Sequence, residues 1–496
     1  MEHVSVLIII IPLSAALLSM ALSRIHHHLG RDVIILALFA AMCLSFIQLR
    51  MVVLGGPIHY VFGHYAVPYG IEFAIDSVSA LVVCMVQVLG FLSCIFATNF
   101  EVEVPDKILT GGTFTMHALL VMGMSGMTMT GDVFNLYVFL EITSLSAYIL
   151  IAAGGSRGIV SAFRYLLVGT VAATLYLLGV GILYANTGSL NMADIAEILN
   201  QGGYDDAMLV SGILFIAAFG IKMAMFPFHG WQPSAYAHAN NAARPIIAGA
   251  MGKIPALAMF RYFYFIFGSD FRYFRICLIM IGVLSAFGMI YGSVKALYQT
   301  DLRKILAYSS VAQISYISLG FAIGTPYALA GSFLHMLGHA FMKGGLFFAT
   351  AAISYKYHTY KLEDFGRIYK SMPLTGGLLT IGALSMIGIP PTVGFFSKWY
   401  LALGAASAHE YIFIAVLVLS SLLNAVYFFK LIEKVFIQAS REIPDQSRKK
   451  SALELPMTMV IPIVCCFLLI LLLGVFNVKI VDILLLTLRG VAVCSI

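Results

Sequence analysis

Long apolar runs, separated by short polar interruptions, follow one another along almost the whole chain. They fall near 4–23, 31–54, 77–98, 110–128, 132–153, 160–186, 209–229, 243–267, 273–297, 304–323, 327–354, 374–403, 411–436 and 453–475. A bilayer core of about 30 Å takes about 20 apolar residues in a helix. The pattern therefore predicts an all-α polytopic membrane protein with about fourteen transmembrane helices. The first run has neither a basic leader nor a clear small-residue cleavage site, so it reads as a retained helix rather than a signal peptide. Between 55 and 75 the run gives way to Gly, Pro, His, Tyr and Val, which predicts an external hairpin or loop. The apolar tail after 478 is short and interrupted, and the pattern leaves its state open.

Two of the predicted spans are damaged as helices. The seventh runs Phe219-Gly220-Ile221-Lys222 and then meets Pro227 and Pro233; the twelfth contains Gly388-Ile389-Pro390-Pro391, Gly394 and Lys398. Proline removes a backbone donor and clashes with the preceding turn. In lipid such a break is tolerated only where the freed groups line protein or water. Two broken spans, five apart in order and each with a lysine beside the break, predict inverted repeats. The expected units are an N-terminal part at 1–109, a first five-helix repeat at 110–267, a second at 273–436, and a C-terminal helix and tail at 437–496.

Composition sharpens this picture. Of 496 residues, 61% are hydrophobic and 10% charged, with a mean hydropathy of +0.95. Soluble domains carry about 25% charged residues, so lipid must serve as solvent here. The net charge of +6 is scattered over short loops and forms no stripe, which argues against nucleic-acid binding. It reads instead as topology. Alternate loops carry Arg24 and Arg31; Arg157 and Arg164; Lys295, Arg303 and Lys304; Lys356, Lys361, Arg367 and Lys370; and Lys434, Arg441, Arg448, Lys449 and Lys450. The loop with Asp194, Glu197, Asp205 and Asp206 belongs to the opposite set. The N-terminus is thus expected outside and the basic loops in the cytoplasm. Glu101, Glu103 and Asp106, and on the other side Arg272 and Arg275, fit less well. The seven cysteines lie in apolar stretches without metal-ligand spacing, and no phosphate loop or haem-attachment motif occurs. No cofactor, metal site or redox centre is expected on this chain.

The informative residues are ionisable groups inside apolar runs. Each costs at least a few kcal/mol at the bilayer centre, so such groups face cavities and pair with one another. Glu141, near the middle of span five, and Lys222, in span seven, are a candidate carboxylate–ammonium pair. Moving the carboxylate would make the lysine take up or release a proton; the competing reading is a static pair that sets helix register. Lys253, in Gly-Lys-Ile-Pro, is placed to hand protons on, or else snorkels from a helix end. His335, His339 and Lys343 recur every four residues on one helix face. The histidine pair lacks a third ligand, which disfavours zinc, and histidine can relay a proton through either ring nitrogen. Lys398, beyond the Pro-Pro break, is either the last proton site before the outside or an anchor beside Trp399. His229, Trp231, Tyr236 and His238 form a cytoplasmic mouth or cap the broken helix. Asp301, Arg303 and Lys304 are expected in a solvated turn.

Five segments carry a resemblance: Gly131-Asp-Val-Phe-Asn-Leu-Tyr-Val-Phe-Leu-Glu141; Lys222 through Phe226-Pro-Phe-His-Gly-Trp-Gln-Pro; Asp301-Leu-Arg-Lys-Ile-Leu-Ala-Tyr-Ser-Ser310; His335 through Lys343; and Ile389-Pro-Pro-Thr-Val-Gly-Phe-Phe-Ser-Lys398. Together they resemble the antiporter-like subunits shared by Mrp-type sodium/proton antiporters, respiratory complex I and membrane-bound hydrogenases. The resemblance implies fourteen helices with two inverted five-helix repeats. It implies a coupling pair at Glu141 and Lys222, a central relay at Lys253, His335 and His339, with Lys343 in the same motif, and an exit site at Lys398. A lysine at 398 leans toward the D-type member of the Mrp antiporters. The segment after Pro227, with Gly-Trp-Gln-Pro-Ser-Ala and then His238-Ala-Asn-Asn-Ala-Ala-Arg-Pro, departs from the usual family run and unsettles the branch.

The expected function is proton translocation within a multi-subunit complex of a bacterial or archaeal inner membrane, with Mrp-type sodium/proton antiport as the first reading. The alternative is a proton-pumping subunit of a complex I-like oxidoreductase or membrane hydrogenase. An unrelated solute transporter predicts no continuous line of charge. The expected partners are other membrane subunits, the lipid bilayer and protons; whether sodium passes through this chain or a neighbour is open.

Overall fold

The computed structural model describes residues 3–103, 107–201, 206–269, 271–366, 368–437 and 454–488. Asp106, Asp205, Arg367, Arg441, Arg448, Lys449, Lys450 and Cys494 lie outside them. Among the described residues, twelve helices are long and apolar enough to cross a membrane. The chain is a multi-pass helical protein. It opens with α1 (Val4–Ile25) and α2 (His27–Gly55), followed by an antiparallel hairpin of β1 (Ile58–Val61) and β2 (Glu72–Ile75) in register Ile58 to Ile75. The segment for which the sequence predicts a hairpin or loop is therefore a hairpin. Helix α3 (Ser77–Ala97) follows, capped by Asp76, whose carboxylate accepts from the Ser79 amide.

The next five helical segments are α4 (Lys107–Met129), α5 (Val133–Ala152), α6 (Ser156–Thr187), the broken pair α8 (Asp206–Met223) and α9 (Gln232–His238), and a helix at Arg244–Phe267; all but α4 are among those long and apolar enough to cross a membrane. A short helix, α7 (Met192–Gln201), lies between α6 and α8, where the sequence predicts an acidic loop; Asn191 caps it, its side chain accepting from the Ala193 and Asp194 amides. The span at Arg244–Phe267 is not regular. It begins as α10 (Arg244–Ile246), widens to a π-helical turn at Ile247–Met251, continues as α11 (Lys253–Arg261) and widens again at Tyr262–Phe267.

The second five are α12 (Phe274–Leu297), α13 (Leu302–Ile323), α14 (Pro326–Tyr357), the broken pair α16 (Pro373–Ile387) and α17 (Val393–Ser407), and α18 (Tyr411–Phe436). A four-residue α15 (Ile368–Ser371) precedes the break. In each set of five the broken span stands fourth, as the sequence predicts. Helices α19 (Met457–Val475) and α20 (Asn477–Leu488) complete the described chain. The apolar tail left open by the sequence thus begins as a twelve-residue helix.

Helix α14 is the axis of the bundle. It packs against α3, α13, α16, α17, α19 and α20, and its residues from Ala328 to Ser354 are all buried. The outer faces of α1, α2, α6, α12 and α18 instead carry exposed Leu, Ile, Val and Phe side chains. This inversion of a soluble protein's surface suits lipid. The two halves of the broken span around Pro390 approach closely because position 394 carries no side chain: a β-carbon there would lie 1.8 Å from the Ser385 carbonyl oxygen. Gly394→Ala should therefore lower the thermal stability of the purified protein, by about 1–3 kcal/mol for an overpacked core site. An unchanged melting temperature would refute the close approach of α16 and α17.

Candidate functional site

The first break begins with backbone geometry. Helix α8 stops at Met223 because Ala224 takes φ +61°, a left-handed conformation that a β-carbon disfavours. The Met225 amide then donates back to the Gly220 carbonyl at 2.8 Å. The Trp231 indole donates to the Ile221 carbonyl at 2.9 Å, and its ring stacks on Tyr165 at 3.7 Å. Trp231 is thus a cap of the broken helix, one of the two readings its position allowed. His229 stacks beside Phe226 and Tyr291, and Tyr236 is buried against Trp231 and Phe347.

Lys222 sits one residue before this end and is 3% exposed. Its ammonium donates to the Ser144 hydroxyl of α5 at 2.8 Å and lies 3.9 Å from the Glu141 carboxylate. The second distance is too long for a hydrogen bond but well within electrostatic range. Gly169 of α6 makes room for this group: a β-carbon there would stand 2.1 Å from the Tyr148 hydroxyl and 3.6 Å from the Lys222 ammonium. Glu141 differs from Lys222 in being 29% exposed, and the nearer carboxylate oxygen has no hydrogen-bond partner. It lies on a stripe of α5 whose other members, Phe134, Val138, Leu145 and Ile149, are exposed.

A narrow cavity lies beside Lys222. It is lined by Met127, Leu140, Thr143, Ser144, Tyr165, Lys222, Met251 and Pro255, with about 10 Å3 of room for a water centre. That is about the minimum for one water. Met251 and Pro255 flank Lys253. Lys253 is fully enclosed, and its ammonium donates to the Ala248 carbonyl at 2.7 Å. Ala248 lies inside the π-helical turn, where a wider ring leaves backbone carbonyls free to turn aside. Such turns are rare and cluster at functional sites.

Lys253 is within electrostatic range of His335, His339 and Lys343 on α14. The two imidazole rings are nearly parallel, with centroids 5.8 Å apart. His335 Nδ1 shares a hydrogen bond of 2.9 Å with the Ser397 hydroxyl, while its Nε2 and both nitrogens of His339 are buried without a partner. Lys343 turns toward α13, donating to the Leu306 carbonyl at 2.6 Å and to the Ser309 hydroxyl.

The last group lies at the second break. Lys398 donates to the Met386 and Ile387 carbonyls at 3.1 and 2.9 Å, the C-terminal carbonyls of α16. Gly388, at φ +96°, supplies the turn and leaves space that a β-carbon would fill 3.2 Å from the Lys398 side chain. The ammonium also lies 5.0 Å from the Tyr316 ring, which stands 5.5 Å from the His335 ring. Of the seven residues singled out by the sequence, the bundle brings Glu141 beside Lys222, Lys253 within electrostatic range of His335, His339 and Lys343, and Lys398 against Tyr316, which stands beside His335. Sequence reasoning missed Ser144, Ser309, Tyr316 and Ser397, which complete these contacts, and Gln313, whose buried amide has both atoms unpartnered. Ser144 was findable, three residues from Glu141 on the same face; the others depend on contacts between distant helices.

A family described as "NADH:quinone oxidoreductase/Mrp antiporter, TM" matches residues 130–424, which hold every one of these groups. The chain belongs to this family. It is 42% identical over 490 residues to the N subunit of a NADH-quinone oxidoreductase of Desulforudis audaxviator, covering 97% of each chain. It is 29% identical to the D subunit of a Na(+)/H(+) antiporter of Bacillus subtilis (strain 168), covering 78% of each. Among solved structures, an archaeal membrane-bound sulfane sulfur reductase complex contains a chain that superposes with a TM-score of 0.88 at 26% identity, covering 98% of this chain and 97% of that one. The Mrp complex from Dietzia sp. shares the fold, with a TM-score of 0.87 at 24% identity and coverage of 99% and 97%. The family relatives are subunits of multi-subunit membrane complexes.

Trp231→Phe keeps the stack on Tyr165 but removes the indole donor from the Ile221 carbonyl, which then keeps only the Ala224 amide at 3.1 Å. Loss of one buried hydrogen bond costs about 0.5–1.5 kcal/mol, so the purified protein should melt at a lower temperature. No change would mean that the carbonyl finds another donor and that Trp231 does not hold the break.

Proposed function

We propose that this chain is the proton-translocating, antiporter-like subunit of a multi-subunit membrane complex, and that protons pass along Glu141, Lys222, Lys253, His335, His339, Lys343 and Lys398. The observation that carries this is the alternation of those groups with hydroxyls and unpartnered imidazole nitrogens through an otherwise apolar interior. Each ammonium rests on neutral acceptors, so its proton is held without a buried counter-ion to trap it. The carboxylate of Glu141 is the exception, and its 3.9 Å separation from Lys222 makes it the adjustable member. Closing the gap favours the charged lysine and opening it favours proton release.

In this reading the units at 110–267 and 273–436 are inverted repeats, each with a lysine at its broken fourth span. The protein lies in a bacterial or archaeal inner membrane with its N-terminus outside and the basic loops in the cytoplasm. Two driving forces fit. Mrp-type sodium/proton exchange is favoured by the relatives named as antiporter D subunits and by the lysine at 398. Pumping coupled to quinone reduction is favoured by the 42% identity to an oxidoreductase N subunit over nearly the whole chain.

Proton movement in membrane vesicles containing the complete complex separates these. Lys222→Ala and Glu141→Ala should each abolish translocation while the complex remains assembled; near-normal transport in both would remove the proposed path. A response to sodium that is lost in the variant favours antiport. Pumping that appears only with a redox donor favours the quinone branch. A second test addresses Tyr316. A desolvated cation over an aromatic ring gains about 2 kcal/mol, so Tyr316→Leu should slow translocation by at least about tenfold while Tyr316→Phe stays close to wild type. Equal rates in both variants would show that the ring does not hold Lys398.

A further inference from the structure

A second polar site lies at the end of the bundle that carries the basic loops, away from the line of lysines. It is a cavity of about 460 Å3 whose polar lining includes Arg157, Arg244, Arg303, His238, Asn241 and Tyr360. For comparison, a water occupies about 30 Å3. The cavity gathers the α5–α6 turn, the segment after α9, the start of α13 and the loop after α14, and so spans both sets of five helices.

Its charges do not balance. Arg303 is neutralised, since its guanidinium pairs with both carboxylate oxygens of Asp301 at 3.1 and 2.7 Å. Arg244 is 2% exposed and has no carboxylate partner among the described residues. Its two terminal nitrogens donate to Asn241 Oδ1 at 2.7 Å, the Ala239 carbonyl at 2.6 Å and the Ala237 carbonyl at 3.3 Å, and its Nε is buried without an acceptor. The Tyr360 ring separates the two guanidiniums, 3.7 Å from Arg303 and 5.5 Å from Arg244, and its hydroxyl donates to Asn241. Burial pushes the Tyr360 phenol up, but Arg244 and the surrounding hydrogen bonds outweigh it and hold the phenol below its usual range. The local field is therefore positive. Arg157 adds a further exposed cation at the rim.

The backbone points the same way. Gly154, Gly155, Ser156 and Arg157 line the cavity at the N-terminus of the 32-residue α6. Gly155 caps this helix without a side-chain acceptor, at φ +90°, so the first-turn amides of α6 are left uncapped beside the cavity. A buried, uncompensated cation is costly, and here it sits beside free amides in a cavity that an anion can enter. On the outer side of α6, Ile159, Val160, Phe163 and Leu167 are exposed and continue away from Arg157, as a surface for acyl chains would.

We infer that this cavity binds a phosphate group, with Arg157, Arg244 and the first-turn amides of α6 as its donors. The group is carried either by an anionic phospholipid headgroup or by a free phosphate. Its occupation would tie the first set of helices to the second at their basic end.

The test uses the intact purified complex. Its melting temperature is followed against inorganic phosphate at constant ionic strength set with chloride, and against added vesicles of phosphatidylglycerol or of phosphatidylcholine. Arg157→Gln removes an exposed donor and leaves the fold in place; Lys370→Gln removes an equal charge from the same end but outside the cavity. Loss of one charge-assisted bond predicts about tenfold weaker binding in Arg157→Gln and none in Lys370→Gln. Stabilisation by phosphatidylglycerol but not by phosphate or phosphatidylcholine identifies a lipid headgroup. Stabilisation by phosphate itself identifies the free anion. No stabilisation by either, or an identical response in wild type and Arg157→Gln, overturns the proposal.

Discussion

A lysine ammonium in a lipid-embedded interior must be solvated by something, and in this bundle helix irregularities supply the acceptors of Lys253 and Lys398. Lys253 donates to a carbonyl inside a π-helical turn. Lys398 donates to the last carbonyls of α16 at a proline break. Lys222 stands one residue before the end of α8 and reaches a serine on α5. A regular helix offers few spare carbonyls, because each accepts from the amide four residues on; only Lys343 draws on one, at Leu306 of α13. The breaks and the lysines are thus one arrangement. Straightening a break would strand the charge, and removing the charge would leave dipoles unpartnered.

The two sets of five helices use this arrangement differently. The first includes a carboxylate, Glu141, set at a distance from its lysine. Around Lys398 no described carboxylate comes within ion-pair distance, and an aromatic ring takes the place of a counter-ion. A charge balanced by another charge responds to a small displacement, because Coulomb energy changes steeply at short range. A charge held by carbonyl dipoles and a ring is steadier. Repeats that share a topology therefore need not share sensitivity to movement.

Much of this was legible in the sequence, and for definite reasons. Charges in apolar runs are costly enough to advertise themselves, so Glu141, the four lysines and both histidines stood out without any knowledge of the fold. Prolines marked the breaks, and the predicted span 411–436 coincides with α18. The π-helical turns were not legible, since Ile-Ala-Gly-Ala-Met contains no local signal for widening. Nor were Tyr316, Gln313 and Ser397, ordinary residues whose meaning comes from neighbours on distant helices. Lys343 shares a spacing with the histidines, but its long side chain reaches across to α13, which spacing alone does not specify. Arg303 was expected in a solvated turn; it does pair with Asp301, yet it also stacks on Tyr360 because a loop from the far end of α14 folds over it.

The partial exposure of Glu141 affects how the protein exists at all. A carboxylate on a stripe of Phe134, Val138, Leu145 and Ile149 would meet hydrocarbon if the chain stood alone in a bilayer, and hydrocarbon penalises the ionised form. A neighbouring subunit laid over that stripe removes the penalty and thereby gains affinity for the charged state. By mass action, the population of chains with an ionised Glu141 then rises with the occupancy of that neighbour. Under the proposed coupling role of Glu141, the flank of α5 would make assembly itself an input to translocation.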